Sequence, residues 1–289
     1  GLQNFLGGNA LIVADVGYDS NGVASVERLN VSAPQFRMTG ARGRYGADGS
    51  VRFSGRGSSD QYGPLGVEVT GTVNRPLIRL AAERPGLGIG LANVTATVRG
   101  DNGTYLVQGE GASDYGPLDL NLAVMTARGP LTVDVRQGTS FGGVGLSGRI
   151  SQSRAGPFEG TLLADGSGIN GRVALSAQGA VQRALVDATA RNASLPGKAG
   201  LTVEQALINA DILLTEQPQI VADAQLAGTR MGDLTIAVAR GTLNYRDGGG
   251  QAKLLVEGRT RYPFRLAANA RMARRSEEHT SELQSHSDL

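Results

Sequence analysis

The 289-residue chain has no cysteine and no tryptophan, and aromatic residues make up only 4% of it. Without cysteine there can be no disulfide, no thiolate metal site and no cysteine nucleophile. The only histidines, His279 and His286, lie in residues 275–289. The rest of the chain therefore lacks the usual base for a serine nucleophile. Scarce aromatics deprive a packed globule of its largest buried side chains. The longest apolar run near the start, ALIVADV, is far short of the ~20 residues that a membrane-spanning helix needs. Lysine is rare as well, with only Lys198 and Lys253. Before Arg275, 27 Lys and Arg stand against 22 Asp and Glu, a net charge of +5. That charge is spread along the chain, with no basic stripe interleaved with aromatics, so no nucleic-acid partner is expected.

The final stretch, RSEEHTSELQSHSDL, departs from this Arg-, Gly- and Ala-rich composition within one residue. Its first eleven residues resemble the translation of a common short-read sequencing adapter. Residues 275–289 are accordingly expected to be a non-native, disordered tail and are excluded from fold reasoning. Residues 1–274 are expected to be a fragment of one continuous repetitive β structure.

What the chain does have is glycine, 43 residues of it, and small aliphatics at a period of two. PLDLNLAV places Leu118, Leu120, Leu122 and Val124 on one face, with Asp119, Asn121 and Ala123 on the other. Leu131, Val133 and Val135 alternate with Thr132, Asp134 and Arg136. Leu65, Val67 and Val69 alternate with Gly66, Glu68 and Thr70, and Val94, Ala96 and Val98 with Thr95, Thr97 and Arg99. Near the end, Phe264, Leu266, Ala268 and Ala270 do the same against Arg265, Ala267, Asn269 and Arg271. Successive strand side chains point to opposite faces, so each segment predicts a strand with one apolar and one wet face. Such alternation favours antiparallel sheets.

Turn signals separate these runs: ADGS, DNGT, ARGP, ADGSG and RDGGG. Asn-Gly and Asp-Gly supply the positive φ angles that tight hairpins need. A repeat is visible too, GRGSSDQYGPLGVEV from Gly55 matching GEGASDYGPLDLNL from Gly109, which points to a quasi-one-dimensional stack. Residues 201–214 fit both periods and are assigned as strand, because Pro-Gly and Gln-Pro bracket them in a β context. About 25 strand-plus-turn units at ~4.8 Å would form a rod on the order of 120 Å long.

Motifs with chemical meaning are weak. GLGIGLAN has the glycines of a phosphate loop but is followed by a strand pattern where such a loop needs a helix. GVGLSG lacks the spacing of a nucleophile elbow. The carboxylate pairs Asp119 with Asp134 and Asp211 with Asp223 lie on the polar parity, as a solvated face requires. No cofactor, no metal and no enzymatic activity are expected. The apolar parity is the feature with functional content. Either an open sheet exposes it as an oily trough, or opposite walls touch and bury it as core; small aliphatics leave room for the former.

The units SDQYGPL and SDYGPLDLNL, the stretch RPLIRLAAERPGLGIGLANVTATVRG and RGPLTVDVRQ resemble the AsmA-like family of Gram-negative envelope proteins, in particular its TamB/YdbH-type members. The resemblance implies an all-β, elongated, curved, mostly antiparallel sheet, a U-shaped trough with little helix. It implies a protein tethered to the inner membrane by segments absent here and spanning the periplasm. It would carry phospholipid acyl chains between the two membranes and act with outer-membrane assembly proteins. The candidate groove residues are Leu65, Val67, Val69, Val94, Val98, Leu118, Leu120, Leu122, Val124, Leu131, Val133, Val135 and Leu266. The rival expectation is a secreted β-solenoid adhesin or autotransporter-like passenger with a closed dry core. A membrane β-barrel is disfavoured by the lack of aromatic girdles.

Overall fold

A computed structural model describes residues 8–60, 62–85, 90–127, 129–198, 200–215, 217–246 and 248–272. The adapter-like tail and residues 86–89 of the GLGIGLAN string lie outside the described residues. No helix occurs among the described residues. Strands follow one another as β1 (Leu11–Tyr18), β2 (Ala24–Ala33), β3 (Phe36–Tyr45), β4 (Val51–Ser59), β5 (Gly63–Gly71), β6 (Pro76–Ala82) and β7 (Ala92–Asp101). They continue as β8 (Thr104–Ser113), β9 (Gly116–Met125), β10 (Thr132–Phe141), β11 (Val144–Gln152), β12 (Phe158–Gly166) and β13 (Ile169–Gln178). The last six are β14 (Val181–Ser194), β15 (Thr202–Leu214), β16 (Gln219–Met231), β17 (Leu234–Arg246), β18 (Gly249–Arg259) and β19 (Pro263–Met272).

Each strand pairs antiparallel with the one before and the one after it, from β1–β2 to β18–β19. The product is one open sheet with β1 and β19 at its edges. The expected all-β, elongated, antiparallel architecture is what is seen. Nineteen strands at ~4.8 Å extend on the order of 85 Å along the hydrogen-bonding direction, shorter than the sequence count suggested. The difference is strand length: β14 to β17 run to 13 or 14 residues each.

Local chemistry explains the meander. In DNGT, Asn102 (φ 45°) and Gly103 (φ 83°) both take the left-handed conformation that a two-residue hairpin between twisted strands demands. The repeated units form the hairpins β4–β5 and β8–β9, four strands apart. Residues 201–214 resolve as β15, because Ala206, Ile208, Ala210 and Ile212 find partners on both sides, in β14 and β16. A helix there would leave both neighbouring edges unpaired.

The polar parity is bound by charge. Asp15 and Arg28, Glu68 and Arg79, Asp134 and Arg149, and Glu257 and Arg265 are directly opposite cross-strand partners, and each pair forms a salt bridge. Such exposed pairs reinforce register more than they add stability. The best-formed pair is diagonal: Arg183 donates from Nε to Asp211 Oδ1 at 2.9 Å and from Nη2 to Oδ2 at 2.7 Å.

On the apolar parity the backbone crowds inward. A Cβ on Gly57 of β4 would lie 2.7 Å from the Arg37 carbonyl oxygen of β3. One on Gly160 (φ 138°) of β12 would collide with the Arg149 carbonyl oxygen of β11. At these positions only glycine lets the neighbouring strand swing up over the apolar side, which is how a sheet is bent.

Two outcomes follow. Gly160→Ala should lower unfolding stability by about 1–3 kcal/mol. Gly66→Ala, whose new methyl would meet only Ala81 Cβ at 3.8 Å, should be near neutral; urea unfolding of both variants checks this. The hydrogen bonds from Arg183 hold the Asp211 carboxyl below its ordinary pKa, with the Arg183 and Arg246 charges adding to them and partial desolvation opposing. A lowered carboxyl pKa contributes stability that is complete above the unfolded value of about 3.9 and is lost as pH falls through the folded value. The stability gap between the parent and Arg183→Ala should thus be largest near neutral pH and shrink in acid.

Candidate functional site: an open apolar face

The registers can be followed straight across the sheet. Val16 stands opposite Val26, then come Gly43, Phe53, Val69 and Ile78. The same row continues through Val98, Val107, Leu122, Val135, Gly148 and Leu162. It then runs through Val173, Val186, Ala210 and Ala222 and ends at Leu243, Ala252 and Ala270. Every strand contributes one residue, and every residue is aliphatic, phenylalanine or glycine. This unbroken row is the spine of an apolar face.

The sequence-derived candidates belong to it. Leu65, Val67 and Val69 of β5 oppose Ala82, Leu80 and Ile78 of β6, which in turn oppose Val94, Ala96 and Val98 of β7. Leu118, Leu120, Leu122 and Val124 of β9 oppose Gly111, Gly109, Val107 and Tyr105 of β8. Val133 and Val135 of β10 oppose Val124 and Leu122. Leu131 sits just before β10, with its carbonyl accepting the Gln152 N–H at 2.7 Å. Leu266 shares the face but lies on edge strand β19, where it is 51% exposed.

No second layer covers this face among the described residues. Among the described residues only seven aliphatic side chains other than proline are buried, five of them alanines, and no large side chain is fully buried. The accessible surface is 19142 Å², whereas a compact protein of 29.9 kDa would expose about 11,700 Å². The aliphatic groups are half-buried by their own neighbours in the sheet and otherwise open. Within the face, Phe36, Met38, Leu65, Val67, Leu80 and Val94 surround a concavity of about 370 Å³.

Several features escaped sequence reasoning. Ala123 was placed with the wet residues, yet it is only 1% exposed. Close by, β10 carries a bulge between Val135 and Thr139 that reaches the polar side of β9. Asn121 is caught in the same contact, donating from its amide to the Gln137 carbonyl at 2.8 Å. Thr139 Oγ1 both accepts from the Asn121 N–H and donates to its carbonyl. The extra residues were hidden because a bulge that keeps side-chain parity leaves the two-residue pattern intact. The loop after β14 was also missed. Its Leu195 and Pro196 approach Gly142 and Gly116 of the β10–β11 and β8–β9 turns, beside the tilted ring pair of Tyr115 and Phe141 at 6.4 Å. This gathers the turns along one rim of the sheet.

The paired-carboxylate alternatives dissolve. Asp119 accepts from Ser140 Oγ at 2.9 Å, and Asp134 is held by Arg149 at 2.9 Å. Asp211 belongs to Arg183. Among the described residues no three His, Asp or Glu side chains are grouped to hold a metal ion. In comparisons with known proteins, no family model, no curated protein and no solved structure matches this chain.

Proposed function

We propose that the apolar face is a conduit for lipid acyl chains and that the protein acts by binding rather than catalysis. What supports this reading is the row of nineteen apolar or glycine residues lying open from β1 to β19. Each methylene that leaves water on such a face gains about 0.8 kcal/mol. The gain is spread along the row, so a chain can be held and still slide. Toward β19 the row itself turns to alanine at Ala210, Ala222, Ala252 and Ala270, flanked by larger aliphatics such as Ile208, Leu226 and Leu254. The resemblance to AsmA-like, TamB-type envelope proteins supports a place for the chain in the Gram-negative periplasm. There it would bridge inner and outer membranes, tethered through segments outside this sequence and associated with outer-membrane assembly. A secreted solenoid passenger fits less well, since its rungs wrap a closed core, whereas these strands form a single open antiparallel layer.

Photo-reactive amino acids at Leu120 and Glu110 test this. They sit on adjacent strands, Leu120 on the apolar parity and Glu110 exposed on the other. Asn121 makes a poor outer-face control because the β10 bulge engages it. Lipid adducts should form at position 120 and be several-fold weaker at 110. Leu120→Arg should cut acyl crosslinking at neighbouring Val107, while Glu110→Arg should leave it unchanged. Equal labelling of the two faces would defeat the proposal.

A further inference from the structure

The opposite face carries a second feature. Between β14 and β18 the outer surface forms a cleft of about 570 Å³. A row of hydrogen-bonding side chains crosses it, one per strand: Asp187, Asn209, Asp223, Thr242 and Lys253 are successive cross-strand neighbours. Beside them, Leu185 and Val221 lay two aliphatic patches, 36% and 39% exposed.

Some polar groups on this face hydrogen-bond each other, as Glu68 does with Arg79, Gln108 with Arg99 and Asp119 with Ser140. At the cleft Asp211 is held by Arg183 and Asp223 accepts from Gln225, but the other polar groups lining it are left unpaired. Asp187, Asn209, Thr242, Asn244, Gln251 and Lys253 make no side-chain hydrogen bond or ion pair with any described residue. Donors and acceptors of both kinds are thus left pointing into one concavity, at the strand spacing.

We propose that this cleft binds a linear, neutral, β-linked glycan lying across the strands. Such a polymer advances by about 5 Å per sugar, close to the ~4.8 Å between strands, so the rings of a short oligomer meet successive members of the row. An extended peptide repeats at a longer interval and pairs with sheet edges rather than sheet faces. A polyanion would be repelled by Asp187 and Asp223. A metal cation finds no grouping of three acids there. The sugar hydroxyls match the mixed amide, hydroxyl, carboxylate and ammonium groups, and the ring C–H faces match Leu185 and Val221. With no aromatic platform, affinity should lie in the millimolar range, where a few net hydrogen bonds place it.

The test is a titration of the intact chain with chito-oligosaccharides of two, four and six sugars, followed by amide chemical shifts. Shifts should concentrate in β14 to β18. Affinity should rise with length until the row is spanned and then level off. Asn209→Ala and the near-isosteric Thr242→Val should each weaken binding about fivefold, the cost of one lost hydrogen bond. Thr97→Ala, on the same face in β7, should not. Circular dichroism and thermal midpoints confirm that each variant is folded. Shifts that are absent, independent of length, or equal in Thr97→Ala would overturn the proposal. So would a fatty-acid micelle that displaced the sugar from these residues. Lipid labelling at Leu120 reads a different face, so either reading can fail alone.

Discussion

The structure depends on one constraint: every strand must find its backbone hydrogen-bond partners in its immediate chain neighbours. Among the described residues there is no second layer and no closed core to compensate for a slip. A shift of one residue at any hairpin would turn all later side chains to the wrong face. Register is therefore guarded at each turn and each charged pair. Asn102-Gly103 sets the β7–β8 hairpin with two positive φ angles, and Glu68 with Arg79 braces β5 against β6. The bulges respect the same rule. In β10 the register against β9 slips, yet Leu118 still meets Phe141 and Leu122 still meets Val135, so the apolar row survives.

This economy shapes what the molecule can do. A sheet that covers neither face must rely on area shared between neighbouring strands, and it leaves an accessible surface far above that of a compact protein. The apolar side is held open, and glycines such as Gly57 and Gly160 let adjoining backbone bend toward it. Both proposed activities follow from the same geometry. Acyl chains would run along an oily row on one face, while an extended polar polymer would cross a hydrogen-bonding row on the other. In each case the ligand lies perpendicular to the strands, where the sheet repeats.

Much of the apolar face was legible in the sequence. Leu118, Leu120, Leu122 and Val124 could be grouped from their spacing alone, because side-chain direction in a strand is fixed by parity. The polar parity of Asp119 and Asp134 was equally plain, and so was its solvated role. Strand or helix at residues 201–214 was ambiguous, since Ala210, Ile212 and Leu214 satisfy a period of two while Val203, Leu207 and Ala210 approach a period of 3.6. Open partners on β14 and β16 decided it. Ala123 went astray because parity gives a residue's face but not what packs against it.

By itself, then, the sequence determined the class of structure and the composition of each face, since both follow from local alternation and turn chemistry. Only the tertiary structure decided that the separate apolar runs join into one continuous row. It alone showed that none of the described residues folds back to cover that row. It also brought Asp187, Asn209, Asp223, Thr242 and Lys253, residues from five strands, into line across a cleft. These are properties of how strands are registered and how far the sheet bends, and they depend on partners dozens of residues away.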